Sequence, residues 1–216
     1  MFYSHVDSNN IPLESKLDDL FEKKENGFFI ELGANDGLFQ SNTAFLEKTR
    51  NWKGVLIEPS YIGYELCKKN RQNSICLNYA CVSNSYSDDF VYGDFQDNHA
   101  MASVQGERKQ TASNDLVKVN AITLERILDN ILPSNIDFLS LDTEGYELNI
   151  LQGLNLDKYR PNYMLIEIYT KDYDNIITFL NDNNYSLLSN FTNYNSTTNP
   201  YWDGTHNDYL FIDKLL

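Results

Sequence analysis

Four acids fall in or just after short apolar runs. Glu31 is embedded among Phe28, Phe29, Ile30 and Leu32. Glu58 follows Val55, Leu56 and Ile57, Asp142 follows Leu139, Ser140 and Leu141, and Glu167 follows Met164, Leu165 and Ile166. An unpaired charge inside an apolar run is costly, so Glu31 needs a cationic or hydrogen-bonding partner. One acid at a strand end is an ordinary cap or turn former. The same placement at several strand ends marks an edge where a ligand sits.

The first run leads into Gly33-Ala34-Asn35-Asp36-Gly37. A strand running into a glycine turn lets backbone approach a nucleotide-type ligand closely. This turn lacks the third glycine of the dinucleotide fingerprint and the Lys-Ser/Thr of a P-loop. Those motifs hold phosphate at a helix start, whereas Glu31 and Asp36 would repel it. An acidic rim suits a cofactor carrying positive charge, and S-adenosylmethionine has a sulfonium and an ammonium. Glu58, at the end of the next strand, stands where an acid would take the ribose hydroxyls.

The elements that must position these residues follow from periodicity. Leu13, Leu17, Leu20 and Phe21 predict an amphipathic helix over 14–25. Strands are expected at 28–33, 54–59, 75–82, 136–142 and 163–168, with helices at 41–50, 60–71, 147–153 and 174–183. Thr123 can cap a further helix through Ile131. Alternation at 88–95 and 116–122 predicts strands outside the central rhythm, joined by a long loop at 96–114. Short strands at 185–188 and 209–212 end the chain. Strands alternating with helices argue for an open, mainly parallel α/β sheet, with ligands beyond its carboxyl edge. Residues 1–26 are expected as an N-terminal helical extension and 27–216 as a single domain.

With 216 residues, 42% of them hydrophobic, the chain suits one large core. Thirty-one acids against 17 bases give a formal charge of −14. That field repels phosphate backbones and anionic lipid, so nucleic acid and membrane surfaces are poor partners. The three cysteines, Cys67, Cys76 and Cys81, lack zinc or disulfide-framework spacing. Cys76 and Cys81 read as core, and a reducing, cytoplasmic setting fits. No apolar run is long enough to span a bilayer, and the N-terminus lacks the pattern of a signal peptide.

Several blocks together carry a family likeness. They are Phe29 to Gly37 followed by Ser41, Asn42, Thr43, Leu46 and Glu47; Leu56-Ile57-Glu58-Pro59; residues 136–147 running on to Ile150-Leu151-Gln152-Gly153; and Leu165-Ile166-Glu167. In this order they resemble the FkbM family of S-adenosylmethionine-dependent methyltransferases, over roughly residues 27–213. The resemblance implies a class I methyltransferase (Rossmann-like) fold: a seven-stranded, mainly parallel sheet with helices on both faces and an antiparallel last strand. Many members methylate hydroxyls on sugars or glycosylated natural products. The expected activity is therefore O-methylation of a sugar or glycan hydroxyl. The alternatives are a small non-sugar metabolite as acceptor, or a catalytically silent module used for protein interaction. An NAD-binding oxidoreductase is disfavoured by the acidic turn and the Asp142-Thr143-Glu144-Gly145 block.

Roles are assigned on that basis. Gly33, Ala34, Asn35 and Gly37 would cradle the methionine part of the cofactor. Ser41 and Thr43 would hold its carboxylate or cap a helix, and Glu31 would orient its ammonium. Glu58 would bind the ribose diol, and Ala80, Cys81 and Val82 would lie by the adenine or pack in the core. A sugar hydroxyl has a high pKa, so a base or a metal must help. In one arrangement Asp142 or Glu144 is the general base, with His99 or His206 as the alternative and Glu167 close by. In the other, Asp142 and Glu167 hold Mg²⁺. The metal-free arrangement is favoured. Glu147 caps or pairs, and His5 is a surface residue. Met101 and Ser103 belong to a lid. Tyr146, Tyr169, Tyr201 and Trp202 stack on a sugar ring or pack.

Overall fold

Period-two alternation sorts the first strand between two layers. The computed structural model describes residues 2–97, 99–105, 110–200 and 202–216. In strand β1 (Phe28–Leu32), Ile30 and Leu32 enter one buried cluster and Phe29 another. Glu31 therefore shares the face of Phe29. The other strands, in chain order, are β2 (Lys53–Ile57), β3 (Ile75–Leu77), β4 (Ala80–Cys81), β5 (Phe90–Gly93), β6 (Val117–Ile122), β7 (Ile136–Leu141), β8 (Pro161–Tyr169), β9 (Tyr185–Asn190) and β10 (His206–Asp213). The helices are α1 (Leu13–Leu20), α2 (Ala44–Arg50), α3 (Tyr61–Asn70), α4 (Leu124–Ile131), α5 (Glu147–Leu151) and α6 (Tyr173–Asp182).

Seven strands form the central sheet in the order β3-β2-β1-β7-β8-β10-β9. Neighbours from β3 to β8 run parallel, and β10 runs antiparallel to both β8 and β9. Leu124, Ile127 and Leu128 of α4, Ile150 and Leu151 of α5, and Ile176 and Leu180 of α6 cover one face. Leu13 and Leu17 of α1, Leu46 of α2 and Cys67 of α3 cover the other. The expected seven-stranded α/β sheet, helical on both faces with its last strand reversed, is thus the observed one.

The 1–26 segment is packed into this second layer. Phe21, just after α1, meets Trp52 with ring centroids 4.9 Å apart. Asp18 of α1 takes a bidentate pair of bonds from Arg50 of α2, at 2.6 and 2.7 Å. Fork-to-fork geometry of this kind fixes orientation as well as contact.

One expected strand is corrected. Residues 75–82 do not run as one strand: β3 ends at Leu77, and Ala80–Cys81 pairs with β6 in a separate three-stranded sheet, β4-β6-β5. The Asn78 amide donates to the Glu58 and Pro59 carbonyls at 2.9 and 2.8 Å, which turns the chain between the two strands. The small sheet stands beside the carboxyl edge of the large one. Its β5–β6 connection is gathered by the buried Asp94, which accepts from Ser103 N and Thr111 Oγ1. Residues 98 and 106–109 of the expected 96–114 loop lie outside the described residues. Among the described residues no helix is long and apolar enough to cross a membrane.

Candidate active site

The β1 turn is built by close backbone approach. Gly33 has φ +76°, and a Cβ there would overlap the Asp142 carbonyl oxygen at the end of β7. Only glycine fits such a contact without moving β7. Gly33 N and Ala34 N both donate to Ile57 O, so the turn is tied to β2 as well. Asn35 and Gly37 continue it with φ of +50° and +79°. At Gly37 an added Cβ would lie 2.7 Å from Arg71 Cγ and 3.0 Å from Cys67 Sγ.

Glu58 is clasped by two turns. Asn35 N donates to one carboxylate oxygen and Ser60 N to the other, each at 2.7 Å. The same Ser60 caps α3 through Gly63 N. Burial pushes the Glu58 carboxyl up to about 7, although both amide bonds pull the other way. Each of its oxygens keeps a lone pair for a further donor. Beside it, Asn35 Oδ1 is buried without a hydrogen-bond partner among the described residues.

These groups line a cleft of about 840 Å³, counting space open to solvent. Gly33, Ala34, Asn35, Ser41, Glu58, Ala80, Cys81, His99, Asp142 and Glu144 all border it. The apolar wall contains Ile57, Tyr79 and Phe95 as well as Ala80 and Cys81. Burial raises the Cys81 thiol to about 12, so it is a packing group. Val82 is buried and does not border the cleft.

Glu31, Thr43 and Gly37 do not border it, and the reason is Arg71. This fully buried arginine reaches Glu47 Oε2 at 2.8 Å, Glu31 Oε2 at 3.3 Å, the Gly37 carbonyl at 2.9 Å, Ser41 Oγ at 3.1 Å and Thr43 Oγ1 at 2.8 Å. Glu31 also accepts from Ser41 Oγ, Thr43 Oγ1 and Asn42 N. The ammonium-orienting role of Glu31 is corrected: its carboxylate lies on the α1–α3 face of β1, and its cation is internal. Thr43 Oγ1 serves this network, while Ser41 Oγ, which also accepts from Ala44 N, takes the capping alternative, and Ser41 still borders the cleft. The expectation of a partner for Glu31 was sound, but nothing local marks Arg71, 40 residues further along the chain.

Acids converge at the ends of β7 and β8. Asp142, Glu144 and Glu167 each bring an oxygen within 4.8 Å of the others. Asp142 and Glu167 are both raised well above the ordinary carboxylate range, first by burial and then by neighbouring acids. Those neighbours include Asp208, which pairs across the ladder with Glu167 and is itself pushed up to about 6 by burial. Like charges this close disfavour simultaneous ionisation, which adds to the effect of burial on the Asp142 and Glu167 carboxyls. Glu147 is separate: it accepts from Thr143 N, Thr143 Oγ1 and Gly145 N and closes the loop entering α5.

Neither Glu167 nor His206 borders the cleft. His206 was expected in a loop and instead opens β10, with Nε2 3.3 Å from Glu167 Oε1. Tyr169 donates to Glu144 at 2.5 Å and packs on His206. Trp202 Nε1 donates to the His206 carbonyl. These two rings brace the acid cluster, while Tyr146 borders the cleft. Tyr201 lies outside the described residues. His99 is exposed, and its Nδ1 accepts from Met101 N. His5 is exposed and bonds Gln40, a residue of the cleft rim.

A reversed final strand on a parallel sheet, with a glycine turn, a clasped acid and acids at the next strand ends, defines a class I methyltransferase architecture. Comparison with protein families matches the methyltransferase FkbM domain over residues 31–187, and the chain belongs to that family. Among solved structures, it is similar to precorrin-6y C5,15-methyltransferase from Geobacter metallireducens GS-15, at TM-score 0.51 and 9% identity over 93% of this chain and 87% of that one. It is also similar to the METTL16 methyltransferase domain, at TM-score 0.52 and 11% identity over 94% of this chain and 66% of that one. A third likeness, at TM-score 0.48 and 9% identity over 97% and 92%, is to a methyltransferase from Geobacter sulfurreducens in complex with S-adenosylhomocysteine. The search of curated proteins finds no match.

Proposed function

We propose that this methyltransferase uses S-adenosylmethionine to methylate a hydroxyl of a sugar or glycan. The observation that carries the cofactor is Glu58, clasped at the cleft with an open lone pair on each oxygen beside the unpartnered Asn35 Oδ1. These acceptors fit the two hydroxyl donors of a ribose diol. The turn at Gly33 to Asn35 would receive the methionine part, and the wall at Tyr79, Ala80, Cys81 and Phe95 the adenine. Bound there, the cofactor supplies an electrophilic methyl group.

The chain's own task is to position the acceptor and take its proton. Asp142 borders the cleft, and burial followed by the neighbouring acids raises its carboxyl well above the ordinary range, which makes its carboxylate a stronger base than an ordinary one. It would take the proton of the acceptor hydroxyl at its carboxylate oxygen. Glu144, held by Tyr169, orients the acceptor, and Tyr146 offers a ring to its C–H face. The charge of −14 supports a neutral acceptor over nucleic acid. The family resemblance supports the sugar class over other small metabolites.

Calorimetry with S-adenosylmethionine, followed by radiolabelled methyl transfer to a glycan array, tests this reading. Binding and label on glycans are expected. A folded protein that binds no S-adenosylmethionine would sink it. The proximity of Asp142, Glu144 and Glu167 favours one second reading. Three carboxylates suit a hard cation such as Mg²⁺, which would act as a Lewis acid on the acceptor oxygen. Turnover that survives EDTA supports base catalysis, and loss restored by Mg²⁺ supports the cation.

A further inference from the structure

Behind the cofactor turn, Cys67 Sγ and Cys76 Sγ lie 3.4 Å apart, with both thiols free. Cys67 is buried in α3, and Cys76 is half-buried in β3. Cys67 Sγ is also one of the atoms that exclude a Cβ at Gly37. We propose that Cys67 and Cys76 form a reversible redox pair that closes to an intramolecular disulfide under hydroperoxide and latches α3 to β3 behind the cofactor turn.

The asymmetry of the pair sets the roles. Cys76 is the more accessible thiol, and the hydrogen bond from Cys67 together with the Arg71 guanidinium holds it below the ordinary thiol range. Cys67 is held above that range by the same hydrogen bond and by burial. Cys76, the more accessible sulfur, is the attacking thiolate, and Cys67, buried 3.4 Å away, is the resolving thiol. The Cys76 sulfur attacks the peroxide, the O–O bond breaks, and a sulfenic acid forms as one alcohol or water leaves with a proton. The Cys67 sulfur then bonds to the Cys76 sulfur. Its proton leaves with the sulfenic hydroxyl as water. Two thiols are oxidised by two electrons, and the peroxide is reduced to two hydroxylic products.

Cys81, buried and raised, serves as the internal control. The full chain is treated with hydrogen peroxide and read by intact mass and peptide mapping. A loss of two hydrogens located to a Cys67–Cys76 peptide is expected, reversed by dithiothreitol. Cys81→Ser keeps the link, while Cys67→Ser and Cys76→Ser abolish it. In the reduced protein, iodoacetamide should label Cys76 roughly tenfold or more faster than Cys81. A folded wild-type chain that gives only unresolved oxidation at Cys76, or only linked dimers, would overturn the proposal. S-adenosylmethionine calorimetry on the reduced protein is read separately, so failure of the pair is distinguishable from failure of the assigned activity.

Discussion

Glu58 accepts two amide hydrogen bonds and still titrates at about 7, because burial outweighs both. Hydroxyl donors from a ribose would favour its ionised form. Cofactor binding below that value must expel a proton, so affinity is expected to weaken as pH falls through it. Calorimetry between about pH 6 and pH 8, in buffers of different ionisation enthalpy, reads the proton directly. Glu58→Gln should flatten the pH dependence and lose about 1–3 kcal/mol of binding. A variant that binds as tightly as the wild type would remove the diol role.

At the scale of elements, the turn after β1 is held from behind. Arg71 gathers Glu31 on β1, Glu47 on α2, and the Gly37 carbonyl in the turn. Arg71→Met leaves two buried acids without their cation. Breaking such a pair costs about 3–5 kcal/mol. Urea denaturation of the variant should show a loss of that size. Arg71→Lys should recover little, because one ammonium cannot reproduce a fork that bonds several acceptors. A small loss for Arg71→Met would mean that water satisfies the acids instead.

The same network explains what was legible in sequence. The seven-stranded, mainly parallel sheet with its last strand reversed followed from the family blocks, and the positions of β1, β2, β7 and β8 from their apolar runs, which are local information. The break at Asn78 and the partner of Glu31 were not legible. Both depend on contacts between segments distant in the chain, which periodicity does not encode. Sequence placed Glu31 and Thr43 at the ligand because they flank the right turn. The side on which their polar atoms lie was set by a cation in α3's last cap.

For the whole molecule, the raised acids add up. Glu58 at about 7, Asp208 at about 6, and Asp142 and Glu167, raised well above normal, lose their protons at higher pH in the folded chain than in the unfolded one. A raised folded pKa means stability that is full below the unfolded value and lost as pH rises through the folded one. The cofactor-free protein should therefore melt at higher temperature near pH 5 than near pH 8. For Glu58 alone the raised value corresponds to about 3 kcal/mol. The overall charge of −14 acts in the same direction, since self-repulsion grows as more acids ionise. Calorimetric melting across that range tests the sign. A melting temperature that rises with pH would show that these acids are solvated and ordinary.

The hold of Arg71 on the Gly37 carbonyl has a consequence for recognition. A loop ordered only by its ligand charges the conformational entropy of ordering against every binding event. Here that ordering is completed when the core assembles, since the guanidinium is inaccessible and the turn's carbonyl is already engaged. The cleft thus meets its ligand as a fixed template rather than a mould. Molecules that do not match its contour gain nothing from loop adjustment, and discrimination rests on shape set before encounter.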